Sequence, residues 1–148
     1  MTAQITVVGS LNMDLVIRAP RIPRPGETIL GGAFQTLPGG KGANQAVAAA
    51  RLGARVAMAG RVGQDSFGDA LLDGLAAEGI EAGHILRDRE ASTGVALIVV
   101  DEHGENAITV ASGANARLSA ADVEASGAAI ATADALLLQL ERDRKSVV

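Results

Sequence analysis

Pro38-Gly39-Gly40-Lys41-Gly42-Ala43-Asn44-Gln45-Ala46-Val47-Ala48-Ala49-Ala50-Arg51-Leu52-Gly53 is the stretch on which the reading of this chain turns. Residues 38–42 predict a tight turn, because proline fixes φ and glycine takes conformations that other residues avoid. Residues 43–52 are mostly good helix formers, and Gly53 stands where a C-cap belongs. A β-rich run lies on each side: residues 5–8, closed by Gly9-Ser10, and residues 55–61. Both predict buried strands. Strand, turn, helix and strand in that order make a βα unit, whose strands lie parallel.

The alternation continues downstream. A turn at residues 63–68 leads into an amphipathic helix over 67–78, with Leu71, Leu72 and Leu75 on one face. Asp65 or Ser66 suits its N-cap. Residues 80–87 contain a short strand. Residues 94–100 and 107–110 flank Asp101-Glu102-His103-Gly104-Glu105, the clearest hairpin signal in the chain. Ser119-Ala120-Ala121-Asp122 reads as a capping box opening a helix to about residue 131. Residues 135–140 form an apolar run of the kind found inside parallel sheets. The expected fold is α/β: a doubly wound, mostly parallel, Rossmann-like sheet with helices on both faces. Segments 15–17 and 28–37 and the hairpin break the alternation. They predict a small antiparallel β lid, approximately residues 13–38 and 94–111. Within it Pro20, Pro23 and Pro25 make an irregular loop.

A chain of 148 residues and 14.9 kDa suits one domain. Thirteen Lys and Arg against seventeen Asp and Glu give a net charge of −4. That argues against a nucleic-acid partner, which calls for a basic surface. With no Trp, no Tyr and only Phe34 and Phe67 as aromatics, a base-stacking platform is also excluded. The absence of Cys removes disulfides, thiolate nucleophiles and Cys-based zinc sites. His84 and His103 have no metal-binding spacing. The apolar runs are too short to span a bilayer, and Met1-Thr2-Ala3-Gln4 does not read as a signal peptide. A cytoplasmic protein with no membrane partner is expected. Residues 141–148 read as the loop and first turn of another helix, so 1–148 is expected to be the N-terminal part of a longer, truncated α/β domain. A frayed tail is the alternative. The sheet edge at residues 135–140 would favour self-association.

Two stretches carry candidate chemistry. Gly39, Gly40 and Gly42 let the backbone approach a ligand closely, and the helix behind them offers amides and a positive dipole end. Lys41 and Asn44 can point at the same small polar molecule. From spacing alone, an ordinary glycine turn with a solvated lysine fits equally well. The turn is not a Walker A loop, since no Ser or Thr follows Lys41, and no dinucleotide fingerprint follows residues 5–8. The second stretch is Gly9-Ser10-Leu11-Asn12-Met13-Asp14, at the carboxyl end of the first strand, where open parallel sheets bind ligands. Asn12 and Asp14 alternate along extended backbone and can face one side. A carboxylate and an amide suit hydroxyl groups. A polar turn bonding its own backbone fits these residues as well. Glu141 also closes a strand, or is simply a surface acid.

Gly9-Ser10-Leu11-Asn12-Met13-Asp14, Pro25-Gly26-Glu27-Thr28, Gly39-Gly40-Lys41-Gly42-Ala43-Asn44-Gln45-Ala46, Ser92-Thr93-Gly94-Val95-Ala96, Gly104-Glu105-Asn106 and Gly113-Ala114-Asn115 follow one another along the chain. Together they resemble the N-terminal half of the ribokinase family, the PfkB-type carbohydrate kinases that include fructokinases and adenosine kinases. The likeness covers nearly the whole chain and is nearest the ribokinase branch. It implies a ribokinase-like fold and ATP-dependent phosphorylation of D-ribose at the 5-hydroxyl, with Mg2+ and a monovalent cation, K+. It implies that Asn12 and Asp14 bind sugar hydroxyls, that Gly40, Lys41, Gly42 and Asn44 complete the pocket, and that Glu141 also touches the sugar. It implies a lid that covers the sugar and pairs two subunits into a homodimer. The family's Gly-Ala-Gly-Asp turn, which bears the catalytic base, is not in this sequence. No catalytic residue is therefore expected among these 148 residues, and no turnover by them alone. The alternatives are another kinase of the family, acting on fructose, a nucleoside or a keto-deoxy sugar, or a sugar-binding module without chemistry.

Overall fold

A computed structural model describes residues 2–139. Along the chain come β1 (Gln4–Val8), β2 (Asn12–Arg18), β3 (Phe34–Gly39), α1 (Lys41–Arg51), β4 (Arg55–Gly63), α2 (Ser66–Ala77), β5 (Glu81–Asp88), β6 (Gly94–Val100) and β7 (Asn106–Ala111). A 3₁₀ helix (Gly113–Arg117), α3 (Ala120–Ala125), α4 (Gly127–Ala131) and β8 (Ala135–Leu138) follow.

Four strands form a wholly parallel sheet in the order β5-β4-β1-β8. In β1, alternate residues serve opposite faces, as the period of a strand requires. Val7 joins the apolar core with Ala46 of α1 and Leu71 and Leu75 of α2. Its neighbour Thr6 is buried on the other face, where the hydroxyl donates to Ala129 O of α4 at 2.9 Å. Helices therefore lie on both faces, α1 and α2 packing on one and α4 touching the other. On the first of them α1 and α2 lie side by side, joined by Arg51 Nε donating to Glu78 Oε2 at 3.0 Å.

The other four strands form a second sheet, termed the lid sheet after its expected role, in the order β3-β2-β6-β7. Its outer pairs, β2–β3 and β6–β7, are antiparallel, whereas the central pair β2–β6 is parallel. The antiparallel expectation thus holds for the hairpin and the flank but not for the centre. The reason is topological. β2 continues from β1 after three residues, and β6 continues from β5 after five. Strands that leave a parallel sheet in the same direction arrive in the lid parallel.

Three local readings change. Helix α1 begins at Lys41 rather than at residue 43, because Gly40 takes φ +94° and turns the chain directly into the helix. Strand β3 runs through Pro38 and Gly39, and residues 28–33 are irregular. A proline is tolerated there because β3 is an edge strand. The helix expected to reach residue 131 divides at Ser126, which is buried and whose hydroxyl donates back to Asp122 O at 3.3 Å. Such back-bonding bends helices.

Candidate functional site

The link between β1 and β2 is residues 9–11 alone, and the turn before α1 packs on it backbone to backbone. A Cβ at Gly42 would stand 2.6 Å from Gly9 C, and one at Gly40 would stand 2.7 Å from Ser10 O and from Asn12 N. No side chain fits between these segments, so glycine is required at both positions. Ala43 N–H donates to Ser10 O at 3.0 Å, and α1 has no side-chain cap. One of the helix's first amides is therefore spent on the link, not left for a ligand, which narrows the anion-binding reading of this turn. On the opposite flank Ser10 Oγ donates to Gln139 Oε1 at 2.8 Å.

This contact brings the two candidate stretches into one place. Asn12 opens β2 between Gly39 of β3 and Gly94 of β6, and Asp14 follows on the same face. A Cβ at Gly39 would lie 2.4 Å from Asp14 Oδ2, and one at Gly94 would lie 2.2 Å from Asn12 Oδ1. Bare glycines let both polar side chains lie across neighbouring strands. Asn12 is buried, at 5 % exposure, and Asp14 is partly buried. Lys41 and Asn44 sit exposed on the first turn of α1. Gly39 and Asn44 also line a cavity of about 340 Å³ that runs between α1 and α2 along Val47, Leu71 and Leu75. Asn12 and Asp14 do not line it. Glu141 lies outside the described residues.

Sequence reading missed the supports behind this cleft. Asn115 reaches across from the 3₁₀ helix: its Oδ1 accepts from Leu11 N–H at 2.9 Å, and its Nδ2 donates to Leu11 O and to Asn12 Oδ1, each at 2.8 Å. The only signal was the Gly113-Ala114-Asn115 string, to which no role was attached. Asp65 does cap α2, accepting from Gly68 N–H at 2.8 Å, but it also accepts from the Thr93 hydroxyl at 2.6 Å and from Thr93 N–H at 2.7 Å. Burial pushes the Asp65 carboxyl up, but the Thr93 hydroxyl, then the Thr93 and Gly68 amides, outweigh it and hold the group below its ordinary value. Asp88, at the end of β5, accepts from the Glu90 and Ala91 amides, both at 2.9 Å, and from Arg61 and Arg117 at 2.7 and 2.8 Å. Those two amides, followed by the two guanidinium groups, hold its carboxyl well below the usual carboxylate range. Asp65 and Asp88 thus fix residues 89–93 from both ends.

A strand-end loop and a glycine turn beneath a lid sheet define a class of protein. The chain belongs to the pfkB family of carbohydrate kinases, which it matches over residues 2–141. It is similar to the ribokinase of Haemophilus influenzae, 50 % identical over 141 residues that cover 95 % of this chain and 46 % of that protein. Among solved structures it is similar to ribokinase from Giardia lamblia, with a TM-score of 0.88 and 36 % identity over 98 % of this chain and 44 % of that one. Arabidopsis thaliana ribokinase complexed with ribose and ATP gives a TM-score of 0.78 and 34 % identity over 94 % of this chain and 46 % of that one. The chain spans about half the length of the curated relatives it matches.

Proposed function

We propose that this chain forms the sugar site and lid of a ribokinase, which transfers the γ-phosphoryl group of ATP to the 5-hydroxyl of D-ribose and yields ribose 5-phosphate. The observation that carries the reading is the backbone contact between residues 9–12 and 39–42, which collects Asn12, Asp14, Lys41 and Asn44 around the root of the lid. The 50 % identity to a ribokinase favours ribose over fructose, nucleosides or keto-deoxy sugars. ATP as phosphoryl donor accords with the ribose and ATP bound by the Arabidopsis thaliana relative.

These residues bind and orient. The Asp14 carboxylate accepts hydrogen bonds from sugar hydroxyls, and Asn12, Lys41 and Asn44 add donors. Holding the acceptor hydroxyl in line supplies much of the acceleration in phosphoryl transfer. A sugar that leaves the buried Asn12 and the partly buried Asp14 unpaired is rejected. The family likeness implies Mg2+ and K+. Among the described residues no group of three or more His, Cys, Asp or Glu side chains could hold a metal ion, so no step here runs through one. A homodimer paired through the lid accords with the exposed Phe34, Leu97 and Ile108. No helix among the described residues is long and apolar enough to cross a membrane, and a cytoplasmic location is part of the proposal.

Asp14→Ala in the full-length enzyme tests the reading. Loss of the carboxylate should weaken ribose binding by about 1–3 kcal/mol, read as the ribose KM in a coupled ADP-release assay across a panel of sugars. An unchanged ribose KM counts against it, and a better rate with fructose or a nucleoside reassigns the substrate.

A further inference from the structure

We infer that Asn115 is a positioning residue for the sugar cleft, and that it decides which end of the Asn12 amide faces the ligand. The inference rests on the reading that Asn12 meets the sugar. Backbone chemistry fixes the chain of hydrogen bonds. Leu11 N–H can only donate, so the Asn115 atom 2.9 Å from it is the oxygen. Leu11 C=O can only accept, so the atom 2.8 Å from it is Nδ2. The second hydrogen of that same Nδ2 reaches the Asn12 side chain at 2.8 Å, which must therefore present Oδ1. The Asn12 oxygen is thereby occupied. No hydrogen bond among the described residues uses Asn12 Nδ2, and none of their buried side-chain polar atoms lacks a partner. The amide group thus reaches the cleft as a donor, beside the Asp14 carboxylate, an acceptor.

The support is itself anchored. Ala114 is fully buried, and its N–H donates to Ser92 O at 2.8 Å. Gly113 takes φ +52°, and a Cβ there would stand 2.3 Å from Ser92 O. Arg117 Nε donates to Asp88 Oδ2 at 2.8 Å. Gly94 lies beneath both amides: its Cβ would stand 2.2 Å from Asn12 Oδ1 and 2.3 Å from Asn115 Nδ2. The 3₁₀ helix therefore holds Asn115 where it cannot turn independently.

The test compares Asn115→Asp with Asn12→Asp in the full-length enzyme. An ionised carboxylate at position 115 accepts at both atoms, so the Asn12 amide must turn and present its oxygen to the sugar. Asn12→Asp presents an oxygen directly. Both variants should raise the ribose KM about tenfold while kcat changes far less. Should Asn115→Asp fail to fold, the wild-type enzyme is read by 15N NMR: ribose should shift the Asn12 side-chain amide, and the Asn115 amide should be protected from exchange. If Asn12→Asp raises KM and Asn115→Asp lowers the melting temperature without touching KM, the inference fails and the cleft stands. If Asn12→Asp leaves KM unchanged and ribose does not shift its amide, the cleft reading fails, and the inference with it.

Discussion

Among the described residues the parallel sheet and the lid sheet have four strands each, yet they are stabilised differently. Strand β4 buries six of its nine residues, and the side chains of Val7, Met58 and Val62 are wholly covered. Strand β7 buries none, and on the lid Leu97 and Ile108 stay 54 % and 53 % exposed. The first sheet is held by apolar burial between helices. The lid is held by its hydrogen-bonded ladder and by its root, where β2 leaves β1. The candidate polar residues cluster at that root, where the two regimes meet.

The largest effect that would break this contrast is in the core. Leu71→Ala, at a site 2 % exposed, should cost about 2–5 kcal/mol in urea unfolding, since it leaves a cavity under the parallel sheet. A cost below about 1 kcal/mol would show that the core is not where the stability lies. At the root, Gly94→Ala should act on function first. The new methyl displaces the Asn12 and Asn115 amides, and ribose affinity by calorimetry should fall by about 1–3 kcal/mol. Unchanged affinity would separate the lid junction from the sugar.

The Asp88 cluster sharpens the comparison through pH. The folded Asp88 carboxyl titrates below its unfolded value. Its contribution is therefore complete above the unfolded value of about 4 and is lost as the pH falls through the folded one. The melting-temperature gap between wild type and Asp88→Asn should be widest near neutral pH and narrow below about pH 4. A gap that stays constant into strong acid removes Asp88 from the account. The smallest effect belongs to the lid surface: Ile108→Ala should change unfolding free energy by no more than about 0.5 kcal/mol.

Most of the framework was legible because it is local. Alternating runs and glycine punctuation mark β1, β4, α1 and α2, and both the Asp65 cap and the Ser119–Asp122 capping box lie within four residues of what they cap. The β6–β7 hairpin was legible from its turn. What escaped is non-local. The parallel pairing of β2 with β6 joins residues 82 positions apart, such as Asn12 and Gly94. No periodicity encodes it. Asn115 meets Leu11 across 104 positions. The resemblance marked its tripeptide but not its purpose, because a buried asparagine is identified by its partners. Asn12, Asp14 and residues 40–44 stand out as candidates by residue type and spacing alone, whereas the loss of the Ala43 amide to Ser10 O does not, since it depends on two segments meeting.

The root of the lid also sets how the lid can travel. Swinging the second sheet about residues 9–11 would tear all three Asn115 hydrogen bonds together and pry Gly42 from Gly9. That corner is a weld and not an axle. Motion of the second sheet that spares these contacts is left to its far tip, where residues 102–105 lie in solvent. The second sheet is in this sense a cantilever, clamped where it leaves the first.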